Sequence, residues 1–377
     1  MRISTNTLYD QSNTVLTNKQ GAINKLSQQV NAQQKVLLPS DDPVAAARAL
    51  DLSQTQALNS QFSINRNNAN SSLATVSSSL TGITDMMSKI KSNVIQAGNA
   101  AFSNDERANM ATELRGNLRE MLGFANATDG LGNFVFAGFK GTTQPFTFDE
   151  GGHIVYNGDQ GAQTLQVDST RNMEVSVSGQ AIFQGNGQDT FKMMQSLITL
   201  LAIPTTEEAN KADDLAARSF EFPPGSGARP IADFMDAEAA LKAARPTDEN
   251  YLTLMAQADN AKLLADKANA ARTPIPGSQA ALTRSLGTFG SSIDKQMSNI
   301  EAATASVGAR QNELDNLEAQ GKVLNEQYTQ TTNDLLGRNG TDVTDLISQL
   351  GLQSQYLQAA QKVFVNTSNL SLLNYLK

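Results

Sequence analysis

Apolar side chains in residues 343–377 fall on two parallel stripes. Val343, Leu346, Leu350, Leu357 and Phe364 follow heptad spacing along one seam, and Leu352, Tyr356, Val363, Leu370 and Leu373 mark a second beside it. Between them the run is mostly Gln, Asn, Ser and Ala, and after Asp345 its only charges are Lys362 and Lys377. A surface helix ordinarily carries a charged outer face. This one lacks it, so the pattern predicts a helix enclosed on several sides by other helices. The other end of the chain supplies a matching seam, with Tyr9, Leu16, Ile23, Val30 and Leu37 at every seventh position and Leu26 between. The spacing predicts that the two termini pair as a coiled coil. Such a pair is marginal alone, because helices in proteins gain most of their stability from tertiary packing. Completion by copies or relatives of the same protein is therefore expected.

Between these ends the period changes twice. A first helix is expected to run from 7 to 38 and stop at Leu38-Pro39. Pro39-Ser40-Asp41-Asp42-Pro43 reads as a turn and a helix start, with Ser40 or Asp41 as cap and Pro43 in the first turn. Two adjacent carboxylates could do acid–base work, but negative side chains are favoured at helix N-termini, and capping accounts for them. A second helix follows from about Val44 toward Ala101, with Leu73, Val76, Leu80, Ile83, Met87, Ile90, Val94 and Ala97 at alternating three- and four-residue steps. Ser103 or Asn104 caps a third. Alternation then takes over: Phe134 and Phe136, Phe146 and Phe148 before Asp149-Glu150-Gly151-Gly152, Ile154 and Tyr156 on the return, then Leu165 and Val167 turning at 169–172 into Met173, Val175 and Val177. Helical period resumes at Asp189, Thr205 and Glu208 offer a capping box, and helical segments are expected near 231–244 and 248–272. From Gln279 one heptad register runs from Leu286 to Leu335, a helix of about 80 Å at roughly 1.5 Å per residue, broken at 337–340.

The expected organisation is an N-terminal assembly helix (1–40), long helices of a rod (41–133), a β-hairpin module (134–190), a mixed helical appendage (191–278), a long C-terminal rod helix (279–338) and a C-terminal assembly helix (339–377). The fold class is mainly α with a small inserted antiparallel β module, an elongated helical rod whose terminal helices pair as a coiled coil.

Composition narrows the chemistry. The 377 residues hold no Cys, no Trp and one His, with a net charge of −8. Without Cys there are no disulfides, thiolate metal sites or Cys nucleophiles, and a lone His153 excludes a His-based metal cluster or triad. No catalytic residue, cofactor or metal is expected. The acidic balance offers no Lys/Arg patch to replace phosphate counterions, so nucleic acid is not an expected partner. No apolar run is long enough to span a bilayer, and the opening residues lack the apolar core of a cleavable signal peptide. Gly130-Leu131-Gly132 looks like half a dinucleotide fingerprint but follows a helix and precedes a strand, the reverse of what phosphate cradling needs. Asp149 to Asp159 lacks calcium-loop spacing, and turn chemistry explains it.

Several runs resemble the flagellin superfamily of axial proteins of the bacterial flagellum, and within it the hook–filament junction proteins. They are Arg2-Ile3-Ser4-Thr5; Pro39, Ser40, Asp41, Asp42 and Pro43 followed by Ala45 to Leu50; and the block of Asp129, Gly130, Gly132, Phe136, Gly138, Phe139, Pro145 and Phe146. Tyr156 to Asp159, Val307 to Asn312 and Leu370 to Tyr375 fit as well; residues 205–278 do not. The resemblance implies a structural adaptor forming a ring of its own copies between hook-associated protein 1 and the flagellin filament. It also implies an extracellular place on the flagellum, reached by type III export without a cleaved signal peptide and with a dedicated export chaperone. Two other readings stand beside it. One is the flagellin filament subunit itself, separable by copy number. The other is an enzyme on a flagellin-like scaffold with 205–278 as its active part, separable by any activity left when both termini are removed.

Overall fold

The computed structural model describes residues 5–130, 132–245 and 250–375, with the side chains of 5, 6, 8, 186 and 367–375 left aside. The chain is mainly helical with a small β module. Its helices are α1 (Thr5–Ala32), α2 (Pro43–Ala97), α3 (Asn104–Ala125), α4 (Gly179–Phe183), α5 (Thr190–Ala202), α6 (Glu207–Ser219), α7 (Pro230–Ala243), α8 (Tyr251–Ala271), α9 (Gln279–Leu336) and α10 (Gly340–Tyr375). Its strands are β1 (Phe146–Phe148), β2 (Ile154–Tyr156), β3 (Thr164–Asp168) and β4 (Arg171–Glu174), in two two-stranded sheets. Two compact units divide the chain: one of 1–67, 166–171 and 314–377, the other of 68–165 and 172–313.

In the second unit the three-and-four pattern of α2 is buried. Leu73, Val76, Leu80, Ile83, Met87, Ile90 and Ala97 are fully enclosed, together with Leu114 and Met121 of α3 and Ile293 and Ile300 of α9. Ser103 starts α3 through a capping box: its hydroxyl accepts from the Glu106 N–H at 3.2 Å, and the Glu106 carboxylate accepts from the Ser103 N–H at 2.7 Å. The β1–β2 hairpin sets Phe146 opposite Tyr156. Phe146 is the hub of an aromatic cluster, with ring centroids 5.1 Å from Tyr156, 5.2 Å from Phe183 and 4.9 Å from Phe191. Phe136 meets Phe183 edge-on at 5.7 Å, a geometry that favours ring quadrupoles.

Four details depart from the expected pattern. Helix α1 ends at Ala32 rather than at 38, because Gln33 adopts φ 52° and turns the chain. Leu37 is therefore off the helix, although half-buried. No strand forms around Phe134 and Phe136. Gly132 and Gly138 hold positive φ there, and the segment is a run of turns in which Phe134 forms an isolated bridge to Thr128 and donates its N–H to the Gly141 carbonyl at 2.7 Å. Strand β4 stops at Glu174; the Val175 N–H goes to the Gln163 carbonyl at 2.8 Å and the Val177 N–H to Val135 at 3.2 Å. Helix α6 is capped by Thr206, whose hydroxyl accepts from the Ala209 N–H at 3.1 Å. Thr205 is occupied elsewhere, accepting from Arg107 at 2.9 Å and donating its N–H to Asn104 at 2.9 Å.

Candidate assembly surface

The first unit brings the two chain ends together. Tyr9 of α1 and Phe364 of α10 place their rings 5.0 Å apart. Lys19 donates to the Gln353 carboxamide at 3.0 Å and sets its ammonium 5.5 Å from the Tyr356 ring centroid, close enough for a cation–π attraction. Leu16, Ile23 and Val30 on α1, and Val343, Leu350, Leu357 and Phe364 on α10, are half-buried, while Leu346 alone is enclosed, at 3% exposure. The second stripe of α10 is open to solvent: Leu352 is 51% exposed, Tyr356 55% and Val363 64%. Leu370 and Leu373 continue α10, and their side chains lie outside those described. A groove of about 350 Å³ runs between the helices, walled by Val15, Leu16, Ala360, Val363 and Phe364. Fully burying one such side chain gains roughly 1.5–3 kcal/mol, so a seam only half covered retains much of that gain for a further partner.

The breaks at the two ends are stitched to each other. The N–H groups of Lys35 and Val36 both donate to the Leu336 carbonyl, at 2.9 and 3.2 Å, where α9 runs out. Gly337 follows with φ 62°, and a Cβ there would lie 2.5 Å from that of Lys35, so only glycine lets the two turns approach. Arg338 adds a bond to Gln34 at 2.8 Å. The sequence shows the glycines at 337 and 340 as a break, but nothing in the pattern says that this break docks on 35–36.

The Pro39–Pro43 run divides its labour between two carboxylates. Asp42 caps α2, accepting from the N–H groups of Val44 and Ala45 at 3.1 and 2.9 Å, with Pro43 as the first helical residue. Asp41 instead folds back, accepting from Leu37 and Leu38 at 3.0 and 3.1 Å and pairing with Lys25 at 2.7 Å. The expected cap at Ser40 or Asp41 thus moves one residue on, because Asp41 is drawn to Lys25 and the turn. The Lys25 bond, with those turn amides, holds the Asp41 carboxyl below the usual carboxylate range. Pro39, Ser40 and Pro43 are exposed.

The residues from Asp129 to Phe146 build the base of the β module. Asp129 closes a turn, accepting from the Asn133 N–H at 2.8 Å, with Gly130 exposed and Gly132 at φ 88° beyond it. Gly138, at φ 69°, lies where a Cβ would come 2.1 Å from the Asp159 carboxylate. That carboxylate accepts from the N–H groups of Phe139 and Gly161 at 2.8 and 2.9 Å, and these bonds, Phe139 foremost, lower its pKa. Pro145 and Phe146 are buried, whereas Phe139 is 68% exposed. The Asp129–Phe146 block thus divides into internal framework and an outward ring. Among the described residues no group of three or more His, Cys, Asp or Glu could hold a metal ion, and no helix is long and apolar enough to cross a membrane.

Residues 3–141 match the family model of the bacterial flagellin N-terminal helical region. Flagellar hook-associated protein 3 of Salmonella typhimurium is 35% identical over 224 residues, covering 56% of this chain and 70% of that protein. The protein of the same name from Escherichia coli is 29% identical over 383 residues, covering all of both chains. A solved structure of hook-associated protein 3 from Legionella pneumophila shares the fold at a TM-score of 0.50 and 18% identity, over 76% of this chain and 99% of that one. With the identity and coverage of the Salmonella relative, the chain belongs to the flagellar hook-associated protein 3 family.

Proposed function

We propose that this protein is a structural adaptor at the junction between hook and filament, and that it polymerises through its terminal helices. The observation that carries this reading is the open stripe of Leu352, Tyr356 and Val363 beside a half-covered seam on α1 and α10. A helix pair with that surface gains most by entering a tube of like helices, where both stripes leave water. Copies of the chain close into a ring, with hook-associated protein 1 on one side and flagellin on the other. The same open stripe needs cover before assembly, which suits a dedicated export chaperone holding α10 on a type III route. The role is mechanical and asks for no catalytic group.

Removing Leu352 to Lys377 tests it. The truncated protein is expected to remain soluble and mostly helical by circular dichroism, and to support no filament growth. A strain swimming at the wild-type rate with that truncation sinks the proposal. The rival reading as a filament subunit is tested by deleting the gene: an adaptor's loss leaves hooks intact and flagellin spilled into the medium, whereas a filament subunit's loss leaves no secreted flagellin.

A further inference from the structure

Among the described residues of the first unit, the one proposed to assemble, one cation is buried. Arg66 of α2 is 3% exposed, in a stretch where Leu52 and Phe62 are only half-buried and Leu58 and Ile64 face solvent. Its Nε donates to Glu318 Oε2 on α9 at 2.8 Å, and its Nη1 donates to the Val167 carbonyl on β3 at 3.0 Å. Ser63 donates to the same carboxylate at 3.0 Å, and Asn65 donates to the Gln166 carbonyl at 2.7 Å. The guanidinium has room because α9 presents Gly321: a Cβ there would come within 2.4 Å of Nη2 and 3.1 Å of Cζ.

We propose that Arg66 is the positioning residue of the assembly unit, a three-way node that fixes α2, α9 and the β3 hairpin against one another. This rests on the assembly reading and deepens it. Polymerisation by packing of long helices requires those helices to enter at one spacing and one rotation. Half-buried apolar contacts between Ala-, Ser- and Gln-rich helices specify neither strongly, whereas a buried polar group specifies its layer at some cost in stability. The sequence makes this layer unlike its neighbours. One heptad away in either direction, Leu314 or Tyr328 stands in place of Gly321, and Gln311 or Asn325 in place of Glu318. Only one layer offers both a carboxylate and a missing side chain. Asn59 and Gln56 continue the alignment below it, bonding to the Gly321 carbonyl at 2.7 Å and to Thr329 at 3.0 Å. Arginine is required because a planar fork can serve two acceptors in different directions, which an ammonium on a flexible stem does poorly.

The chain has no Cys, so spin labels can be placed at will. Labels on Leu50→Cys and Val323→Cys, at exposed positions of α2 and α9, report the distance between the helices in the full-length protein by double electron–electron resonance, whether or not it polymerises. The expected result is one narrow distance distribution in the parent. In Arg66→Met/Glu318→Leu, helical content should be unchanged, since apolar replacement of a buried ion pair is often neutral or stabilising, but the distribution should broaden or split. Arg66→Lys should give an intermediate width. A distribution as narrow as the parent's in the double variant overturns the proposal, as does loss of helical content, which would make the node a source of stability and not of position. Parent-like width in Arg66→Lys overturns the need for a fork. Filament growth in the double variant is read separately. A broadened distribution with normal growth leaves the positioning intact and removes its connection to assembly.

Discussion

Leu80 and Leu352 stand on long helices rich in Ser, Ala and Gln, in runs with few charges. Leu80 is fully enclosed, while Leu352 is half exposed. The same contrast runs through the units they belong to. In the second, the α2 pattern closes against α3 and α9, and an aromatic cluster anchors the β module. In the first, the helices touch along half-covered apolar seams and a ladder of polar bonds. The second unit closes an apolar core within the chain, although Ile95, Phe139, Leu215 and Leu252 stay exposed on its surface. The first has a thinner core and leaves the α10 stripe of Leu352, Tyr356 and Val363 in water. The depth of burial of the patterned seams, and not residue type or spacing, separates the two units.

The largest break of this contrast comes from the aromatic hub. Phe146→Ala removes a ring at 0% exposure with three aromatic neighbours, and is expected to cost about 3–5 kcal/mol by chemical denaturation. Native-state hydrogen exchange should show the loss in β1, β2 and α5, with α1 and α10 little changed. A loss below about 1 kcal/mol, or one shared equally by the terminal helices, would remove the distinction between the units.

Much of this was legible in the sequence. The three-and-four spacing from Leu73 to Ala97 marked the buried seam, and the alternation at 146–156 marked the hairpin, because both are set by local period. The pairing of α1 with α10 followed from matched heptads. What the pattern could not supply was set by atoms distant in sequence. Asp41 leaves its capping role because Lys25 lies near, Thr205 leaves its own because Asn104 and Arg107 claim it, and Phe136 is buried without a strand because positive-φ glycines bend its segment. Arg66 gave no signal at all, since a lone arginine in a polar stretch reads as surface until the glycine opposite it is seen.

Gly138→Ala should come next in size. It places a side chain at φ 69° and drives Asp159 from the amides it holds. The positive φ alone costs about 1–2 kcal/mol, and the displaced carboxylate adds to it. Thermal unfolding of the second unit checks it, and an unchanged melting temperature would show that Asp159 moves freely.

Acid probes the first unit. Burial raises the Glu318 pKa, but the bonds from Arg66 and Ser63 outweigh it, so the folded value lies below the ordinary 4.5. A depressed carboxyl contributes stability that is fully present above the unfolded value and is lost as pH falls through the folded one. Below pH 4.5 the α2–α9 contact near Ser63 should therefore loosen, seen as faster amide exchange there. Glu318→Gln should remove that acid dependence, and persistence of the same pH response in the variant would assign it to another group.

The smallest effect on the free protein sharpens the comparison most. Leu352→Gln swaps an exposed apolar side chain for a polar one of similar length and high helix propensity. Exposed substitutions of this kind stay within about 0.5 kcal/mol, so the monomer's unfolding curve should not move, whereas Leu80→Ala in the buried seam should cost about 2–5 kcal/mol. Filament growth should respond in the opposite sense to monomer stability, falling with Leu352→Gln because the stripe then has less to gain by leaving water. If growth is normal, the open stripe is surface without a task. If instead the monomer is destabilised, Leu352 already packs on something within its own chain, and the first unit is more nearly complete than its exposed leucines imply.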